Sequence, residues 1–141
     1  MHAYVDDETA AYIVETRKYF EDLRQVASQL AGVLVLAAAG SKSAAPDHPA
    51  LGTAAELYSD AVDGMRSARV TERARAHHRC LMHAATSLGT ALAAAAGKLE
   101  IDPILTPLRA AYDQLQQAAD TLPGFEMVSF EKACCARPPQ A

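Results

Sequence analysis

Four separate segments of this chain carry apolar residues at three- and four-residue steps, and this spacing constrains the fold more than any other feature. At about 100° per residue, such residues form one continuous stripe along a helix. The chain has many alanines and no tryptophan, and strong helix formers dominate it, which favours an all-α protein. The four stripes predict helices at Asp7–Ala39, at Pro49–Ala68, from a cap at Thr71 to Ala96, and from a cap at Asp102 to Leu122.

Residues with special backbone preferences mark the ends of these segments. Asp6 or Asp7 is suited to cap the first helix, and Gly40 is suited to end it. Pro103 directly follows Asp102 and is expected at the first helical position, where its missing N–H costs nothing. Four striped helices with mostly short connections predict an antiparallel up-down four-helix bundle with a short C-terminal extension.

The length of 141 residues fits a single domain. The bundle is expected to comprise residues 1–124, and residues 125–141 are expected to form a tail packed on the bundle or extending from it. A chain of about 150 residues buries roughly 68–70% of its unfolded surface, so the core needs no disulfide or metal.

Charge and composition exclude several classes of function. A net charge of −4, with no cluster of lysines and arginines, argues against nucleic-acid binding. The longest apolar run, residues 30–40, is shorter than the roughly 20 residues that span a bilayer, so no membrane is expected. The acidic N-terminus does not resemble a signal peptide, and an odd number of cysteines does not suit a secreted disulfide framework. We therefore expect a cytoplasmic protein, and the heavy use of alanine and arginine suggests a bacterial one.

The stretch HHRCLMH, residues 77–83, concentrates side chains that bind metals. Measured from Leu81 at the centre of the buried stripe, His77 and His78 lie about 40° and 60° to either side. Cys80 lies on the boundary at about 100°, and His83 lies on the outer face at about 160°. The histidines therefore diverge, and neither the i, i+4 histidine pair nor the HExxH motif of helical zinc sites is present.

Two interpretations of this stretch remain open. In the first, His77 and His78 are ordinary histidines at the flank of a bundle. In the second, the protein binds haem or a soft transition metal through Met65 and His77 or His78, with Cys80 nearby. Met65 and His77 are equally far from Thr71 along the chain, so a tight antiparallel hairpin brings them to the same level. Methionine and histidine on facing helices can hold haem or copper.

His83 and the residues after it, AATSLG, resemble the histidine phosphotransfer domains over residues 83–89. Those domains are also four-helix bundles with an exposed histidine, so the resemblance implies that His83 is a phosphoryl acceptor. Thr86 and Ser87 stand where those domains carry a lysine and a glycine. This departure removes the cation that would steady the phosphoryl group.

No other pattern predicts catalysis. The glutamates lie mainly off the stripes, and the chain has no E-x-x-H motif of di-iron bundles, no phosphate-binding glycine loop and no GxSxG motif. Cys134 and Cys135 are adjacent, which suits soft-metal binding or redox chemistry as well as simple packing. We therefore expect no enzyme activity, no catalytic residue and no resident cofactor apart from the haem or metal of the alternative.

The last turns of the first helix, GVLVLAAA, are apolar on all sides. Val33, Val35 and Leu36 are expected to point away from the stripe of Leu30 and Leu34, where a single bundle does not cover them. The sequence therefore predicts a partner surface formed by Val33, Val35 and Leu36. The function expected is a non-catalytic binding or interaction module that forms a homodimer, with a second protein or a small molecule as a possible further partner.

Overall fold

The computed structural model describes residues 5–127, and within this range the chain is all-helical with no strand. Helix α1 spans Asp7–Ala38, α2 spans Pro49–Ser67, α3 spans Arg75–Gly97 and α4 spans Ile101–Thr121. The predicted number and approximate positions of the helices are confirmed. The helices bury their apolar stripes against one another in a single core, as in a helical bundle.

Helix α1 has the ends that its sequence predicts. The Asp6 side chain accepts a hydrogen bond from the backbone N–H of Thr9 at 2.7 Å, which satisfies one of the unpaired donors of the first turn. After the last turn, Gly40 adopts a φ of +75°, which favours glycine because it has no Cβ. The helix is roughly 50 Å long and contacts each of the other three helices.

The starts of α3 and α4 differ from the prediction. Thr71 accepts a hydrogen bond from the N–H of Ala74, but this bond closes a short turn before α3, which itself begins at Arg75. Helix α4 begins at Ile101, so Asp102 lies inside its first turn and is not the cap. Proline is tolerated in this turn because the first four N–H groups of a helix have no internal partner, and Pro103 therefore does not delay the start.

Pro107 lies inside α4, a position that the sequence analysis did not anticipate. Proline has no N–H, so the bond from residue 107 to the carbonyl of Pro103 is missing from the helix. The surrounding helix nevertheless continues, and it buries Ile104, Leu108 and Leu115 in the core. Packing of this stripe stabilises α4 despite the missing backbone hydrogen bond at Pro107.

Two glycines allow bulky tyrosines to lie against neighbouring helices. A Cβ atom on Gly64 of α2 would overlap the Tyr19 ring of α1. A Cβ on Gly89 of α3 would lie 2.5 Å from the hydroxyl oxygen of Tyr58 on α2. These contacts set how closely α2 approaches both of its neighbours.

The segment after α4 contributes to the core. Leu122 and Phe125 are both 4% exposed, and Met127 packs partly against the core. Gly124 turns the chain with a φ of +93°, and its carbonyl accepts a hydrogen bond from Arg17 Nε at 3.1 Å. The expected boundary between residues 124 and 125 thus falls within a packed segment. The rest of the predicted tail, with Cys134 and Cys135, lies outside the described residues.

Helix α3 is long and apolar enough to cross a membrane by length and composition alone. About 33% of its most apolar window is buried against the other helices, including Leu81 and Leu88.

Candidate functional site

His77 is the most deeply buried polar side chain of the HHRCLMH stretch, with 0% of its surface exposed. Its Nδ1 atom shares a hydrogen bond of 2.8 Å with the Tyr12 hydroxyl of α1. The Tyr12 ring meets the imidazole edge-on, at 5.5 Å between centroids and 89° between planes. On another side, the Phe125 ring lies 4.0 Å from the imidazole at 37°. His77 is therefore enclosed by aromatic rings from α1 and from the segment after α4.

The other ring nitrogen of His77, Nε2, is buried without a hydrogen-bond partner among residues 5–127. Burial in this apolar site, together with a smaller effect of the neighbouring His78, lowers the pKa of His77 to about 4. The imidazole is thus neutral at neutral pH. Burial also raises the pKa of Tyr12, so the phenol stays protonated. The pair is a neutral hydrogen bond inside the core.

His78 and Met65 meet through the backbone. The Nε2–H of His78 donates to the carbonyl oxygen of Met65 at 2.9 Å, which joins the end of α2 to the start of α3. The Met65 side chain is fully buried, His78 is half-buried, and Cys80 is also half-buried, as its boundary position predicts. The sequence analysis expected Met65 and His77 to lie level, and the contact observed on the Met65 backbone comes from His78.

The four proposed metal ligands, Met65, His77, His78 and Cys80, thus lie in one region, but their observed contacts are those of a packed core. Within residues 5–127, no three histidine, cysteine or acidic side chains are grouped as a metal ion would require. The hydrogen-bond partner of His77 is Tyr12 of α1, a contact that was not predicted from the sequence. The one sequence feature consistent with this contact is that Tyr12 lies on the buried stripe of the first helix.

A second polar network ties the start of α1 to the turn between α2 and α3. The Thr9 hydroxyl donates to the Asp6 carboxylate at 3.1 Å, so it accepts at 2.9 Å from the hydroxyl of Thr71. Thr71 in turn accepts from the Ala74 N–H. Hydrogen bonds to its carboxylate, first of all from the Thr9 backbone, lower the pKa of Asp6. This network is structural, because it satisfies backbone donors at the start of α1 and in the turn before α3.

His83 is exposed, as its outer position predicts. Met82 and Thr86 are joined by a hydrogen bond from the Thr86 hydroxyl to the Met82 carbonyl at 3.0 Å, within the same helix. Because the His83 side chain itself is exposed, its ring is accessible to solvent.

An apolar groove lies between the end of α1 and the start of α4 and encloses about 280 Å³. Val35 is 67% exposed and Ile101 is 40% exposed on its two sides, so large apolar side chains face solvent here. The other lining residues are also apolar: Ala31, Leu34, Ala38, Leu105 and Leu108. Single exposed apolar residues are ordinary, but adjacent ones around a groove are typical of an interaction site.

The partner surface predicted from Val33, Val35 and Leu36 needs one correction. Val33 is 2% exposed and belongs to the core, because the stripe that α1 buries against the other helices is wide enough to include it. Val35 is exposed and Leu36 is half-buried. The part of this surface that α4 contributes was not predicted from the sequence. The available signal was Ile101, an apolar residue at the start of the α4 stripe, which is exposed in the structure.

Comparison with known proteins found no relative in which the groove or the buried histidine can be examined. No protein-family model, curated protein or solved structure matches the chain. The groove and the buried histidine are therefore the features from which a function can be inferred.

Proposed function

We propose that this protein is a non-catalytic, cytoplasmic interaction module of a bacterium that forms a homodimer through the groove between α1 and α4. The observation that carries the proposal is the row of apolar side chains around this groove, with Val35 and Ile101 both exposed. Each square ångström of apolar surface removed from water contributes about 25 cal/mol, which favours covering the groove.

A second copy is the simplest occupant, because a two-fold interface uses the same patch on both subunits and covers both grooves at once. The groove is shallow and entirely apolar, which suits the side chains of a helix better than a polar ligand. An unknown protein or small molecule is the alternative occupant, and the test below distinguishes it from self-association.

The test is sedimentation of the full-length protein at micromolar concentration. The wild type is expected to sediment as a dimer, and Val35→Glu to shift it to monomer, because a carboxylate would be buried without a partner. Val14→Glu is the matched control, since Val14 is a 78% exposed valine of the same helix, far from the groove in sequence. A wild-type monomer, or equal effects of the two variants, contradicts the proposal.

We also propose that the helices run antiparallel in up-down order. Two contacts and one shared groove support this arrangement. Arg17 near the start of α1 bonds to Gly124 after α4, and His78 bonds to Met65. Val35 near the end of α1 and Ile101 at the start of α4 line the same groove. Spin labels at exposed positions near the two ends of α1 and α4 test it by distance measurement. A label after α4 that is closer to the end of α1 than to its start contradicts the up-down order.

Binding of haem or a soft transition metal by Met65 and His77 or His78, near Cys80, is the second candidate function. One observation favours it, namely the buried Nε2 of His77 without a partner among the described residues. The His78 Nε2 is occupied by the Met65 carbonyl, so His77 is the better donor. The test is metal content and the visible spectrum of protein purified without chelator, beside His77→Ala. Metal content that this variant leaves unchanged eliminates the site.

A further inference from the structure

The side of α4 next to the groove carries apolar side chains that solvent reaches. Four apolar residues fall within about 60° of one another when stepped at 100° per residue, and they follow the i, i+4, i+7, i+11 spacing of a helix seam: Ile101, Leu105, Leu108 and Tyr112. Leu108 is buried in the core and Leu105 is half-buried, so a partner reaches this seam through Ile101, Leu105 and Tyr112. Three of them line or border the groove, and Tyr112 is 36% exposed. A charged row runs beside this seam.

That row contains Asp102 and Arg109, which lie about 20° apart around the helix and about 10 Å apart along it. Both side chains are exposed. Opposite charges at a separation of seven residues on one flank are complementary to the same flank of an antiparallel copy. Asp102 of each copy lies opposite Arg109 of the other when a two-fold axis passes between Leu105 and Thr106, midway between residues 102 and 109.

Resting on the proposed dimer, we infer that two copies pair α4 against α4 in antiparallel register, with Asp102 of each subunit opposite Arg109 of the other. The axis between Leu105 and Thr106 places the same flank of both helices on one side, which is the geometry that antiparallel pairing requires.

This register also gives α1 its place in the interface. The groove lies between α1 and α4, so a second α4 seated beside the first covers Val35 from above. By symmetry each copy of α1 borders the interface. Four helices, two from each chain, then enclose the apolar side chains that solvent reaches in one chain.

Charge reversal tests the register. Arg109→Asp is expected to raise the dimer dissociation constant by about tenfold or more, because it places two acidic groups together twice per dimer. The double variant Asp102→Arg with Arg109→Asp restores opposite charges and is expected to return the constant close to that of the wild type. Arg79→Asp, an exposed arginine of α3, is the control and should have no effect. Circular dichroism verifies that each variant is folded.

Cross-linking provides an independent readout of the axis. In a background where Cys80, Cys134 and Cys135 are serine, Leu105→Cys lies near the axis and is expected to link two copies through a short bismaleimide. Ile101→Cys is displaced from its own copy by about 13 Å along the helices and should not link. The pattern depends only on which residue is near the axis.

The outcomes separate this inference from the proposed function. Dimers that dissociate with Val35→Glu but ignore the charge variants, or that cross-link at residue 101 in place of 105, overturn the register and leave the dimer intact as a proposal. A wild-type monomer overturns both. Restoration by the double variant, together with linkage at residue 105 alone, supports the register.

Discussion

At the scale of single residues, the neutral pair of Tyr12 and His77 is the feature with the clearest energetic consequence. Both side chains are almost fully buried, and their hydrogen bond joins α1 to α3 inside the core. Protonation of His77 would place a charge beside Phe125 and the phenol of Tyr12, and the neighbouring His78 also disfavours it. Folding therefore favours the neutral imidazole.

The stability of the protein should depend on pH through His77. Its pKa falls from about 6.5 in the unfolded chain to about 4 in the folded one, so the unfolded state binds a proton more readily between these values. The free energy of unfolding contributed by this group is complete above pH 6.5 and falls by about 2 kcal/mol on going from pH 7 to pH 5.

Urea unfolding of the wild type and of His77→Gln at the two pH values measures this contribution. The glutamine amide retains a hydrogen-bonding group for Tyr12 but does not titrate. The wild type is expected to lose about 2 kcal/mol more than the variant on acidification. Equal losses in both proteins would show that His77 is not buried in neutral form.

His83 should contribute little to stability, because it is exposed on the face of α3 opposite the core. His83→Ala is expected to change the free energy of unfolding by less than about 0.5 kcal/mol, as is usual for surface positions. Chemical denaturation at pH 7 provides the measurement. A loss of several kcal/mol would place the face of α3 elsewhere and remove the basis for calling His83 accessible.

At the scale of helices, small residues determine how α2 packs. Gly64 leaves room for the Tyr19 ring, and Gly52 of the same helix has no atom within 4 Å of the position of a Cβ. A glycine inside a helix costs about 1 kcal/mol relative to alanine. Both glycines therefore lower the helix propensity of α2, but only Gly64 is explained by close packing against a neighbouring side chain.

Alanine at these two positions should have opposite effects. Gly52→Ala is expected to stabilise the protein by up to about 1 kcal/mol, because helix propensity improves without a clash. Gly64→Ala is expected to destabilise it by about 1–3 kcal/mol, because the new methyl group overlaps the Tyr19 ring. Thermal or urea unfolding measures both, and Tyr19→Ala in the Gly64→Ala background should recover part of the loss. Stabilisation by both alanines would refute the close contact.

At the scale of the whole molecule, the core depends on the segment that follows the last helix. Phe125 packs edge-on against Phe20 at 5.3 Å between ring centroids and lies over His77 at 4.0 Å. The bundle is therefore closed at this end by a residue that the helical pattern does not include. The groove at the other end of α1 has no such cover among the described residues.

Loss of the Phe125 side chain should destabilise the whole bundle. Phe125→Ala is expected to cost about 3 kcal/mol or more, as buried phenylalanine truncations do. Val14→Ala, at a 78% exposed position of α1, is the control and should cost less than about 0.5 kcal/mol. Urea midpoints at constant pH provide the comparison. A small effect of Phe125→Ala would mean that the segment after α4 merely rests on the bundle.

The sequence by itself determined the number of helices, their approximate ends and the orientation of most faces. These features depend on local physics: the period of 3.6 residues, the capping aspartate Asp6 and the backbone freedom of Gly40 act within one helix or turn. The same arithmetic placed His83 outside and Cys80 at the boundary. It erred by two or three residues at the starts of α3 and α4, where Thr71 and Asp102 were predicted as caps.

Only the tertiary structure decided which side chains meet across helices. Tyr12 lies opposite His77 because two helices that are far apart in sequence pack at that level, and no local pattern encodes their relative rotation. The packing likewise buried Val33, left Val35 beside Ile101 at an apolar groove, and brought Phe125 onto His77. The burial of a side chain is a property of its neighbours, whereas the period of a helix is a property of its own segment.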